Sequence, residues 1–146
     1  MTSLKWNFER VEVLTSILRE LYEVCENGVC IVEGKRDESA LRKLGFKGKI
    51  VALKKLNRSL DSIVENLSSE ERIIILTDFD DEGEELAARL YKAFKSRKVE
   101  IDLEVRRKLS SLLKGEIKGL EELEPLISRI SQQFKISPLF NGGYYQ

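Results

Sequence analysis

"IIILTDFDDEGEELAARL" (residues 73–90) runs from four consecutive large aliphatics into a cluster of acids. Four such residues in a row cannot alternate between core and solvent. The segment 72–78 is therefore expected to be a strand covered on both faces, as in a parallel sheet. Asp78, Asp80, Asp81 and Glu82 then place four carboxylates within five residues. Like charges packed this closely repel, and a helix is expected to follow them over 82–97. A strand, a turn full of acid and a helix raise the question of what the acids hold.

Reading outward, the neighbouring segments repeat the same unit. Residues 8–26 carry Val11, Leu14, Ile17, Leu18, Leu21 and Val24 at spacings of three and four, the mark of an amphipathic helix. "VCIVEG" (29–34) is short and β-branched and is expected to be a buried strand. Asp37 can cap a helix over "ESALRKLG", which Gly45 closes. "KIVAL" (49–53) reads as a second strand, 59–68 as a helix, and "VEIDLEV" after the 82–97 helix as a fourth strand. Strands alternating with helices predict a doubly wound, mainly parallel α/β layer with right-handed crossovers. From Val105 to about residue 136 the pattern is helical again, in "RRKLSSLLK" and "LEELEPLISRISQQF". The last residues, "SPLFNGGYYQ", are expected to be loose. No repeat or linker interrupts the chain, so 1–146 reads as one domain with a core over about 27–104 and helical extensions at both ends.

The residue inventory limits the chemistry. The 146 residues contain no histidine, which excludes Ser-His-Asp and Cys-His nucleophiles and histidine-containing zinc sites. Two cysteines, Cys25 and Cys30, cannot make a four-cysteine zinc site. No apolar run is long enough to span a bilayer, and residues 1–10 lack the apolar heart of a signal peptide. A cytoplasmic setting is therefore expected, in which the two thiols would stay reduced. Carboxylates, lysines, hydroxyls and a hard metal ion remain.

Net charge is zero, yet the charges are sorted along the chain. Nine Lys or Arg between Lys35 and Arg58 face only Asp37 and Glu38, and ten acids between Asp61 and Glu85 face only Arg72. Such blocks fit ordinary solvated helix faces. They also fit an acidic metal centre flanked by phosphate-binding surface. Asp78 is expected at the carboxyl end of the central strand, with Asp80 and Glu82 in the turn behind it, and Glu33 ends the first strand in the same way. Ligands of open α/β sheets bind at that rim. Any one of these acids could merely cap a helix. Four together, with Glu33 at a second strand end, exceed what capping needs and suit a divalent cation.

The pair "VEGKRDESAL" and "LTDFDDEGEE" resembles the Toprim domain of topoisomerases, bacterial primases, old-family nucleases and the ribonuclease that matures bacterial 5S ribosomal RNA. In that family one strand ends in Glu-Gly, here Glu33-Gly34, and another in Asp-x-Asp, here Asp78-Phe79-Asp80 followed by Glu82-Gly83. The resemblance is to small stand-alone archaeal Toprim proteins and to the 5S-maturing ribonuclease. It implies Mg²⁺ or Mn²⁺ on Asp78 and Asp80, Glu33 as general acid/base touching the metal, Glu82 assisting, and Lys35 meeting a phosphate. Asp81 stands where topoisomerases often carry Arg. No tyrosine-bearing gate domain or primase zinc module accompanies the motifs in these 146 residues, so strand passage is not expected.

These readings converge on a metal-dependent nuclease acting on RNA phosphodiesters. RNA ranks ahead of DNA, and ribosomal RNA or the ribosome is a candidate partner. The rivals are a non-catalytic RNA- or ribosome-binding module and primase-like nucleotidyl transfer. Lys35, Arg36, Arg42, Lys54, Lys55, Arg58, Arg106, Arg107 and Lys108 are the expected phosphate contacts. A simpler account makes Arg106–Lys108 the wet face of a helix whose Leu109, Leu112 and Leu113 pack inward.

Overall fold

The computed structural model describes residues 5–135. The tail quoted above from Ser137 onward lies outside the described residues. Four parallel strands form one sheet in the order β2-β1-β3-β4: β1 Val29–Val32, β2 Lys49–Ala52, β3 Arg72–Ile75 and β4 Glu100–Asp102. The register is fixed by Val29 opposite both Lys49 and Ile73, and by Arg72 opposite Glu100. Each strand is joined to the next through helix, as a parallel sheet requires. The helices are α1 Phe8–Glu26, α2 Lys35–Lys43, α3 Leu53–Leu56, α4 Leu60–Leu67, α5 Asp81–Lys95, α6 Glu104–Leu113 and α7 Leu123–Phe134, with a 3-10 turn at Leu120–Glu122.

The period of two along the strands sorts the core into two layers. Cys30, Val32, Ile74 and Leu76 face α1, α2, α6 and α7, while Val29, Ile31, Ile73 and Ile75 face α4 and α5. The aliphatic run of the third strand is thus buried on both sides, as its composition demanded. No helix among the described residues is long and apolar enough to cross a membrane.

Several details depart from the sequence reading. The third strand stops at Ile75; Leu76 N still donates to Ile31 O at 2.8 Å, after which the chain turns away toward α5. Asp37 does not occupy the N-cap of α2. That place belongs to Gly34, and Asp37 caps from the first turn, its Oδ2 accepting from Gly34 N at 3.1 Å. The cysteines, expected as thiols, form a Cys25–Cys30 disulfide that ties the end of α1 to β1. Five residues apart in sequence, they are brought to a Cα separation of 6.1 Å, within bonding reach, because the chain doubles back from helix to strand.

Candidate metal centre

Three carboxylates come to the carboxyl rim of the two central strands. Glu33, the residue after β1, is buried, and its Oε2 accepts from the Asp78 backbone N–H at 2.8 Å. Its Oε1 lies 3.9 Å from Lys54 Nζ. Asp80 is the N-cap of α5, accepting from Gly83 N at 2.8 Å through Oδ1. Capping is therefore part of what this acid does, and it leaves the second oxygen free of that bond. Asp81 and Glu82 are exposed on the first turn of α5, where their charge favours the helix dipole.

Asp78 sits differently. Its Oδ1 is buried with no hydrogen-bond partner among the described residues. Burial raises its pKa to about 7, and the negative charges of Asp37, Glu33, Asp80 and Glu121 push in the same direction. The cause of this crowding is packing. A Cβ on Gly83 would stand 1.8 Å from the Asp78 carbonyl oxygen, and one on Gly119 would stand 2.3 Å from Oδ1. Only glycine lets α5 and the 114–119 segment close on Asp78 from two sides.

Two of those neighbours were not foreseen as site residues. Asp37, read as a helix cap, is buried beside Glu33, and its pKa is raised first by burial and then by the charges of Glu121 and Glu33. Glu121 arrives from the 3-10 turn of the C-terminal extension. That extension is pinned over the acids by Phe79 N donating to Lys118 O at 2.6 Å. The signal for Asp37 was in the sequence, four residues after Glu33 on a short helix. Nothing local marked Glu121.

Arg106 corrects an expectation. Read as a phosphate contact, it is 5% exposed and turned inward. Its Nε donates to Thr77 O at 3.1 Å and Thr77 Oγ1 at 3.0 Å, Nη2 donates to Asp78 O at 2.5 Å, and Nη1 pairs with Glu84 at 2.9 Å. Thr77 Oγ1 in turn donates to Gly83 O at 2.7 Å. The guanidinium fork fastens the turn that carries the aspartates and has no face left for RNA.

Of the remaining expected cations, Arg107 pairs with Glu104 at 2.6 Å and Lys108 with Glu20 at 2.8 Å. These lie on α6, and their partners hold them there. Lys55 pairs with Glu38 at 3.6 Å, Arg42 donates to Phe46 O at 3.1 Å, and Arg58 donates to Ser62 Oγ at 2.7 Å. Lys35 and Arg36 open α2 next to the carboxylates, both exposed.

A model of the Toprim domain matches residues 28–129. The chain belongs to the Toprim family. Its relatives include the UPF0292 protein of Pyrococcus horikoshii, 39% identical over 128 residues, covering 88% of this chain and 92% of the relative. A UPF0292 protein of Thermococcus sibiricus is 42% identical, covering 84% and 92%, and one of Methanosarcina barkeri is 35% identical, covering 89% and 91%. A solved structure of a protein from Aquifex aeolicus superposes with a TM-score of 0.64 at 27% identity, covering 75% of this chain and 96% of that one. The stand-alone archaeal Toprim resemblance read from the two motifs is thereby shown, as is the α/β Toprim fold. The matched residues include Arg106, Gly119 and Glu121.

Toprim domains generally bind divalent ions such as Mg²⁺. Among the described residues, no three acids are gathered as a ready ligand set. Mg²⁺ does not need three, because it keeps several waters and takes one or two carboxylates with substrate phosphate. The donors fit such an ion. They are hard oxygens, one of them is a buried atom without a partner, and the surrounding charge is what a cation would relieve.

Proposed function

We propose that this Toprim protein is a Mg²⁺- or Mn²⁺-dependent phosphodiesterase of ribonuclease type, acting on RNA in the cytoplasm. The observation that carries the reading is Asp78, a carboxylate walled in by other acids with one oxygen unsatisfied. A bound cation would relieve that charge and give the oxygen a partner. Asp78 and Asp80 would hold the ion, with Glu82 and the waters around it completing the set. When bound, the ion would polarise the phosphodiester and stabilise charge on the leaving oxygen.

The chain's own groups supply the rest. Glu33, hydrogen-bonded to the Asp78 N–H, is oriented at the same rim and can accept or return a proton at its carboxylate. Lys35, two residues on, offers an ammonium to a phosphate oxygen. Arg106 holds the Thr77 and Asp78 carbonyls so that the aspartates do not drift apart when their charges repel.

A second reading, an RNA- or ribosome-binding module without chemistry, is favoured by one observation. Glu33 is buried and already spends one oxygen on the Asp78 N–H. Cleavage of total RNA with Mg²⁺ or Mn²⁺, by the wild type, Glu33→Gln and Asp78→Ala, decides between them. The enzyme reading expects Glu33→Gln to keep most RNA and metal affinity and to lose about 10²- to 10⁴-fold in rate. RNA binding with no Glu33-dependent cleavage would leave the binding module.

A further inference from the structure

Beside the carboxylates the surface dips between α2 and the start of α7. Lys35, Arg36, Ser39 and Lys43 line one wall and Pro125 and Arg129 the other, around a cavity of about 760 Å³. The groove begins at the metal centre. Lys35 follows Glu33-Gly34 directly, and Glu121, also in the lining, is one of the charges acting on Asp78.

Its acids and bases are not equally available. Glu116 accepts from Trp6 Nε1 at 2.9 Å and lies 3.6 Å from Arg10, and Glu122 accepts from Lys118 N at 2.7 Å. Glu121 faces the carboxylates, and Glu122 and Glu124 are the exposed acids on the rim. By contrast Lys35, Arg36, Lys43 and Arg129 make no ion pair with any described residue, and all four are exposed. Of the other cations expected at phosphates, Lys54, Lys55, Arg107 and Lys108 are in ion pairs and Arg106 is buried.

Their spacing is regular. Lys35, Ser39 and Lys43 are each four residues apart, so they share one face of α2 at steps of about 6 Å. That interval suits successive phosphates of an extended strand. The row lies along one face of a single straight helix, beside its packed neighbour α7. A straight row of this kind suits one extended strand, whereas the strands of a duplex wind away from it.

We propose that this groove takes a single-stranded end of a nucleic acid, its phosphates along Lys35, Ser39 and Lys43 with Arg129 closing from the opposite wall, and delivers it to the carboxylates. This rests on the phosphodiester reading above. It makes the substrate a single-stranded tail or overhang, and a paired stem would stop at the groove mouth.

The test uses fluorescence anisotropy with a labelled eight-nucleotide oligouridine and a blunt RNA hairpin, on the Glu33→Gln protein in Mg²⁺. The single strand should bind at least tenfold tighter than the hairpin. Lys43→Glu with Arg129→Glu should weaken single-strand binding at least tenfold. Lys43→Gln with Arg129→Gln should lower the slope of log affinity against log salt by about 1.4, from two lost contacts at about 0.7 each. Both positions are exposed, and thermal unfolding checks that the variants remain folded. Equal binding of strand and hairpin, or variants that bind like the parent, would overturn the groove. If those variants fail to matter while wild-type protein still cleaves RNA in a Glu33-dependent way, only the groove falls. If no RNA is bound or cleaved by any form, the phosphodiester reading falls with it.

Discussion

Asp78→Asn should stabilise the metal-free protein, and only at higher pH. Its carboxyl is raised in the folded state from 3.8 to about 7. Below pH 3.8 the group is protonated in both folded and unfolded chains, so its contribution is fully present. As pH rises toward 7 the unfolded chain releases the proton readily while the folded one resists, and stability is lost. The distance from 3.8 to about 7 sets a ceiling of about 4 kcal/mol on that loss. Asp78 is partly open to solvent, and screening reduces the expected gain for the Asn variant to about 2 kcal/mol at pH 8. Urea unfolding in EDTA between pH 4 and 8.5 reads it directly. The gap between variant and wild type should be near zero at pH 4, widen toward pH 7 and then level. Mn²⁺ at a hundred times its Kd should return about 2.7 kcal/mol to the wild type and much less to the variant. A gap that ignores pH, or equal responses to Mn²⁺, would refute the account of Asp78.

Replacing both Cys25 and Cys30 by Ser should cost about 2 kcal/mol in urea unfolding, the closure entropy of so short a loop, and reductant should do the same to the wild type; no change on reduction would show that the crosslink constrains nothing. Arg106→Met removes the donors to Thr77, Asp78 and Glu84 and should cost about 2–3 kcal/mol. It should also weaken Mn²⁺ binding at least tenfold, which Arg106→Lys should rescue only in part because the fork is gone. The salt dependence of RNA binding should be untouched by either change, and a slope that falls would return Arg106 to the phosphates.

The sequence was most informative where a signal is local. Four adjacent aliphatics in 73–76 can be buried only in a sheet covered on both sides, and that fixed the central strand. Glu33 and Asp78 came together because both follow strands, and adjacent parallel strands end at one rim. What stayed hidden depends on contacts between distant residues. Arg106 lies in an Arg-Arg-Lys run that reads as solvated charge, although it stands three residues before Leu109 and seven before Leu113, on their side of the helix. That spacing was the available clue. Glu121 and Gly119 belong to a turn with no pattern of its own, placed by the burial of Ile117, Leu120 and Leu123 before, within and after it. The disulfide was masked by an inference from compartment, while the backbone reversal that allows it spans only a few residues.

The seam between α1 and the C-terminal helices has a consequence for synthesis. Lys108 reaches back 88 residues to Glu20, Trp6 reaches 110 forward to Glu116, and the rings of Phe8 and Phe134 meet at 4.9 Å. A ribosome delivers α1 and every strand before it delivers α6 and α7. Until then the apolar face of α1 has the sheet but not α6 to pack on, and the aspartate turn lacks the guanidinium that fastens it. The nascent chain therefore passes through a stage in which its carboxylates are exposed and unfastened, and the turn is fastened only once Arg106 and the segments after it have emerged.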